Sequence, residues 1–227
     1  MDPKPIDDFD IRTLDGYREG GALLPSPDQH VGLIDVTGQK LRLVEHPRDN
    51  VLYGGDGYTY ESRKTYAPHT LLVILESPHR FEYDASGHPV ALVMGKTGCL
   101  FFRLFEDALR SSVMRLKEGT YDLVLANAVR YQTSCGLSPM DRTLRDHNWF
   151  DIYDTYGGEE DMRQRIFALK PWYTVNCATG GRNPSGIRAR VSKSLDAFGL
   201  IKGKHYTEGT HPASWEYARG PSSKLID

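Results

Sequence analysis

The feature that most constrains this chain is the unbroken apolar run Leu71-Leu72-Val73-Ile74-Leu75, which stops abruptly at Glu76-Ser77-Pro78-His79. A strand with one face in water alternates apolar and polar side chains. A run without alternation marks a strand buried on both faces. Two more runs repeat the arrangement. Tyr121 to Ala126 stops at Asn127, and Trp172 to Asn176 stops at Cys177-Ala178-Thr179-Gly180-Gly181. Apolar residues recur at helical spacing after each strand: Leu100, Phe101, Leu104, Phe105, Ala108 and Leu109, then Met162, Ile166 and Leu169, then Val191, Leu195 and Phe198. Strand–helix alternation of this kind predicts an α/β fold, a three-layer α/β/α sandwich around a mostly parallel sheet. Ligands of such sheets bind beyond the carboxyl ends of the strands. Glu76, Asn127 and the Gly180-Gly181 loop are therefore expected on one rim.

The N-terminal part reads differently. Residues 1–30 are rich in Pro, Asp and Gly and read as loops, whereas Gly32 to Tyr60 reads as antiparallel. Gly32 to Val36 and Leu41 to Val44 are strands about a turn at Thr37-Gly38-Gln39, and Gly54-Gly55-Asp56-Gly57 is a second turn signal. The chain divides into a β-rich appendage over 1–66 and an α/β domain over 67–227, packed as one unit. Cys99, Cys135 and Cys177 are too few and too widely spaced for a disulfide framework or a metal site, and read as free thiols of a cytoplasmic protein. The acidic start, Met1 to Asp10, does not read as a signal peptide, and no apolar run is long enough for a membrane span. A net charge of −2 neither advertises nor excludes a nucleic-acid partner, since a local basic face suffices.

Several stations carry candidate chemistry. Glu76, set at a strand end by Pro78, can hold a water or stabilise positive charge on a sugar. Gly95-Lys96-Thr97-Gly98 looks like a phosphate loop, but Ala91 stands where the full pattern requires glycine, so a triphosphate site is not expected. Its amides can still meet a single phosphate at a helix start. Asn127 has the amide to read a base edge, or to close an Asx turn. Arg182, Arg188, Arg190 and Lys193, followed by Lys202 and Lys204, form a basic stretch that suits either a phosphate backbone or a solvated helix face. In His211-Pro212-Ala213-Ser214-Trp215 the histidine can donate to a developing oxyanion, and Trp215 can enter a base stack or pack in the core.

Taken in order over residues 70–217, these stations resemble the uracil-DNA glycosylase superfamily, in particular the branch with Gly-Glu-x-Pro-Gly, Gly-x-x-Gly and His-Pro-Ser motifs. Each motif is weak alone, and their order carries the likeness. The resemblance implies base excision from DNA without metal or cofactor and without an obligate protein partner. It implies water activation by Glu76 and Ser77, a DNA-facing loop at Gly95 to Gly98, base reading by Asn127, leaving-base stabilisation by His211, and a DNA-pinching loop at Ser214 and Trp215. Leu75 replaces the glycine of the motif, and Ser77 stands where the classical uracil enzymes carry an aspartate. His79 and Arg80 occupy the segment that normally blocks 5-substituents, and Val93 or Met94 falls where an aromatic normally stacks on the base. The cluster-binding cysteines of the branch are absent. A pocket lined by His79, Arg80, Val93 and Asn127 is expected to take a modified pyrimidine rather than plain uracil. Relatives that excise glucosylated hydroxymethylcytosine from phage DNA, as a bacterial defence, suit that pattern. The rival readings are an N-glycosidase acting on free nucleosides or nucleotides and a non-catalytic DNA-binding module on the same scaffold.

Overall fold

The computed structural model describes residues 25–38, 40–45, 66–111, 116–133, 142–180 and 186–215. The turn expected at Gly54 to Gly57, and also Cys135 and Arg182, lie outside them. Strands β1 (Gln29–Thr37) and β2 (Lys40–Glu45) form the expected hairpin. Gly38 in its turn has φ +60°, a conformation that glycine enters without a Cβ clash. The remaining strands are β3 (His69–Leu75), β4 (Gly119–Asn127), β5 (Tyr173–Asn176) and β6 (Tyr206–Glu208). Together they make one six-stranded sheet in the order β2-β1-β4-β3-β5-β6. β4, β3, β5 and β6 are parallel neighbours, while β1 runs antiparallel to both β2 and β4. The protein is thus an α/β fold on a mixed sheet. The N-terminal hairpin is hydrogen-bonded into that sheet through β1, with Ile34 opposite Tyr121.

The apolar run of β3 does what its lack of alternation predicts. Leu71, Val73 and Leu75 join one cluster, with Phe101 and Phe105 of helix α1 (Gly95–Ser111) and with Trp215. Leu72 and Ile74 join a second, with Trp149, Ile152, Met162, Ile166, Val191 and Leu195. Trp149 belongs to α2 (Arg142–Phe150) and Ile152 to a π-helical turn, Asp151–Thr155. The others come from α3 (Gly158–Leu169) and α4 (Ile187–Ala197). Burying an aliphatic side chain of this size contributes about 1.5–3 kcal/mol, so the central strand is a major anchor of the fold.

Register and tight approaches fix the strand ends. Leu75 pairs with Asn127, Ile74 with Asn176, and Asn176 with Glu208. Glu76, Asn127, Cys177 and Gly209 therefore stand at nearly one height on the carboxyl edge. Arg165 of α3, which is buried, pairs with Asp28 at 2.7 Å and donates to the Asn127 carbonyl at 2.9 Å. This clamps the end of β4 to the segment before β1. On the other side, α1 starts directly beneath the edge. A Cβ on Gly98 would lie 1.5 Å from the Val93 carbonyl oxygen, so only glycine fits.

Candidate functional site

The carboxyl edge opens into a cleft of about 1200 Å³. Its walls come from the loop after β3, the start of α1, α2, the loop after β5, α4 and the segment after β6. Parallel pairing is the reason these segments converge, because β3, β4, β5 and β6 each deliver the segment that follows them to the same rim.

Glu76 stands at the inner end of this cleft, 7% exposed. Its backbone carbonyl accepts hydrogen bonds from the Trp149 indole at 2.9 Å and the Val129 amide at 3.1 Å, so the residue is fixed at its main chain. Its carboxylate Oε1 lies 3.4 Å from Arg145 Nε, and the Thr179 hydroxyl also reaches it. Burial pushes the Glu76 carboxyl above the usual carboxylate range; Arg145 and Thr179 oppose the shift, and Asp146 adds to it. Arg145 itself is buried and donates to Asp146, which holds its guanidinium plane.

His211 reaches the same cleft from the segment after β6, just before the single 3₁₀ turn Pro212–Ser214. Its Nδ1 accepts from the Ala213 amide at 3.2 Å, which leaves the ring proton on Nε2. Burial, with the cations of Arg145 and Arg188, pushes its pKa down to about 4, so the imidazole is neutral at pH 7 and Nε2–H is a donor. Arg188 of α4 also lines the cleft, and its Nε donates to the Ala178 carbonyl at 2.9 Å, pinning the loop after β5. At Gly180 a Cβ would come within 3.1 Å of the Arg188 guanidinium, so the small residue makes room for that cation.

The structure distributes the expected site residues unevenly. Glu76, Ser77, His79, Thr97, Arg188, His211 and Ser214 line the cleft. Ser77 shares a hydrogen bond of 2.8 Å with the Thr133 hydroxyl, which occupies it structurally. Gly95 opens α1, and Lys96 is exposed on its first turn. Arg80 lies outside the lining, exposed with its guanidinium 4.8 Å from the Phe81 ring centre. Val93, expected in the base pocket, is instead 1% exposed in the core with φ 48°, and Met94 forms the wall in its place. Arg190, expected on phosphates, is engaged by Asp154 and Glu159 and lies over the Tyr153 ring. Trp215, expected as a wedge, is fully buried against Phe101 and Phe105, and its indole donates to the Thr210 carbonyl at 2.8 Å. Its apolar neighbours and satisfied N–H make it a core residue.

Other residues enter the site that the motifs do not flag. Arg142, Thr143, Arg145 and Asp146 come from α2, whose buried positions are Arg145, Asn148 and Trp149 rather than an apolar stripe. The signal available in the sequence was the i, i+3, i+4 spacing of Arg142, Arg145 and Asp146, which puts them on one helix face. Glu82 also lines the cleft, and Asn127 approaches its carboxyl from the end of β4 without itself lining the cleft.

Among the described residues no group of three His, Cys, Asp or Glu side chains is placed to hold a metal ion. No helix there is long and apolar enough to cross a membrane. The chain matches no family model, and no curated protein or solved structure is significantly similar to it.

Proposed function

We propose that the protein is a monofunctional DNA glycosylase that takes a flipped nucleotide into this cleft and hydrolyses its N-glycosidic bond. The observation that carries the reading is the meeting of Glu76 and His211, far apart in sequence, in one cleft, with the Arg145 cation favouring an ionised Glu76 and a neutral His211. Glu76 is an acceptor beside Arg145; His211 is a neutral donor. In the proposed reaction the bond between C1′ and the base nitrogen breaks, and its electron pair leaves with the base. His211 Nε2–H donates to the base oxygen that gathers this charge. The ionised Glu76 carboxylate stabilises the cationic sugar and accepts a proton as water adds to C1′. The products are the free base and an abasic sugar with a hydroxyl at C1′. Flipping is required because the reacting bond is out of reach inside a duplex.

The cations Arg142, Arg145 and Arg188 suit a negatively charged strand over the cleft. The enclosing frame is read as a three-layer sandwich carrying the hairpin as an N-terminal addition, working in the cytoplasm. Among the described residues no Phe, Tyr or Trp lines the cleft, and Met94 in the stacking position favours a base larger than uracil. A 5-substituted pyrimidine of phage DNA is such a base. The placement of Trp215 and Arg190 away from any DNA contact favours a second reading, hydrolysis of free nucleosides in the same cleft. Incubation with plain, uracil-containing and 5-substituted duplexes, and separately with the free nucleosides, tests both. The first reading expects alkali-labile sites in a modified duplex and no nucleoside cleavage. Nucleoside cleavage without abasic sites would replace it with the second.

A further inference from the structure

Phe81 is a large apolar side chain at the mouth of the cleft, and it is 54% exposed. A single exposed ring is ordinary, and Trp172 and Ile201 are comparably bare. Phe81 differs from them in where it stands and in what holds it. It is the middle residue of the single 3₁₀ turn Arg80–Glu82, between His79 and Glu82, which both line the cleft. Its ring also rests against the start of α1. A Cβ on Gly95 would lie 3.5 Å from Phe81 Cδ2, and Met94 and Thr97 nearby line the cleft as well. The ring therefore stands on the lip of the cleft, outside the lining itself.

The turn that carries the ring is fixed from behind. The Glu82 amide donates to the His79 carbonyl at 2.8 Å, and the Glu82 carbonyl accepts from the Val90 amide at 2.8 Å. Glu82 and Tyr83 are buried, and the Tyr83 hydroxyl donates to the Arg130 carbonyl at 3.2 Å. The Arg80 guanidinium lies over the Phe81 ring, 4.8 Å from its centre, and the His79 ring packs at 4.9 Å, tilted by 48°. Arg80 and Lys96 are exposed, so two cations accompany the ring at the rim. An anchored aromatic set among cations suits a nucleic-acid strand, because the ring takes the face of a base and the cations take phosphates. A wedge that enters a duplex slides between two base steps and needs both ring faces bare. Arg80 covers one face of Phe81, so the ring offers a seat for one base. In a duplex that base is stacked and paired, whereas in a single strand its face is freed at little cost.

We propose that Arg80 and Phe81 form a stacking platform, beside the cleft, for the base next to the nucleotide that enters it, and that this platform favours single-stranded over duplex DNA. The inference rests on the base-excision reading, which it deepens by adding a contact to the neighbouring nucleotide and a strand preference. A duplex still reaches the cleft, at the added cost of unstacking that neighbour.

The experiment uses oligonucleotides with one central 5-hydroxymethylcytosine, as single strands and as duplexes, with either neighbouring nucleotide replaced in turn by an abasic analogue. Binding is measured in a Glu76→Gln background and single-turnover base release with Glu76 intact. Phe81→Ala, Phe81→Leu and Phe81→Trp are compared with the parent protein, and thermal melting verifies each fold. Phe81→Ala and Phe81→Leu are expected to weaken single-strand binding roughly tenfold, as for the loss of one base–aromatic contact, while Phe81→Trp keeps it. Removing the base at one of the two neighbouring positions should cost a similar factor. The two losses should not add, because they remove the same contact. Duplex binding should change less. This pattern without base release from any strand would support the platform and overturn the excision reading. Base release with binding indifferent to Phe81, full retention by Phe81→Leu, or a Phe81→Ala loss undiminished on both abasic strands would overturn the platform and leave the excision reading standing. Failure to bind either form of DNA would overturn both.

Discussion

At the residue scale, the site works through the states that burial imposes on two side chains. His211 is neutral because burial in the cleft wall and the cations Arg145 and Arg188 disfavour its charged form. A neutral imidazole whose Nδ1 is already an acceptor can only donate from Nε2, which is what the proposed base excision requires beside the departing base. His211→Ala removes that donor without touching the strand core, and should slow single-turnover base release by about 10²-fold. DNA affinity should change little; a variant with reduced affinity and an unchanged chemical step would move His211 from leaving-group stabilisation to binding. Glu76 has the complementary requirement, a carboxylate that must ionise despite burial. Arg145 at 3.4 Å supplies the opposing charge. Neither state is legible in the sequence, where Glu76 and His211 are recognisable only as polar residues at the ends of their segments.

At the scale of elements, the strands were more legible than the helices that complete the site. β3 and β4 announce themselves as apolar runs because both faces of each are covered. The structure extends the Leu71–Leu75 run to His69–Leu75 and the Tyr121 run to Gly119–Asn127. α2 escapes the periodicity argument because two of its three buried residues are Arg145 and Asn148. Arg145 faces the polar cleft and Asn148 donates to the Thr133 carbonyl, and polar burial leaves no hydrophobic stripe. β6 escapes it because three residues at an edge are too short to show alternation. Within the basic stretch from Arg182 to Lys204, Arg188 reaches the cleft, whereas at Arg190 the charge pairs with carboxylates from other elements, a partnership invisible to composition. The Gly-x-x-Gly segment was legible as a helix start, but its second glycine is dictated by the Val93 carbonyl rather than by phosphate. Gly98→Ala must therefore displace that backbone. The expected outcome is a loss of roughly 1–3 kcal/mol, as for overpacking at other tight sites, read as a lower denaturation midpoint. Wild-type stability in Gly98→Ala would show that the turn relaxes freely.

At the scale of the whole molecule, the same burial ties folding to pH from two sides. The folded-state pKa of His211, about 4, lies below its ordinary 6.5. Its contribution to stability is complete above pH 6.5 and is lost as pH falls through about 4. Glu82 is raised from 4.5 to about 8, so its contribution is complete below pH 4.5 and is lost as pH rises through about 8. Melting temperature should therefore fall on both sides of a mildly acidic optimum. Glu82→Gln should flatten the alkaline side and leave the acid side in place, and His211→Asn should do the reverse. Variants whose profiles run parallel to the wild type would show that these groups do not titrate as the cleft dictates.

The sheet, the clamp at Arg165 and the pinned loop at Ala178 bring Glu76 and His211 to one cleft, and in the proposed reaction this pair directs water to C1′ of a flipped nucleotide. Base release in water enriched in heavy oxygen, followed by mass spectrometry of both products, measures that claim directly. The account predicts heavy oxygen in the abasic sugar, none in the free base, and no product from a folded Glu76→Gln variant. Heavy oxygen in the base, or undiminished release by Glu76→Gln, would contradict it.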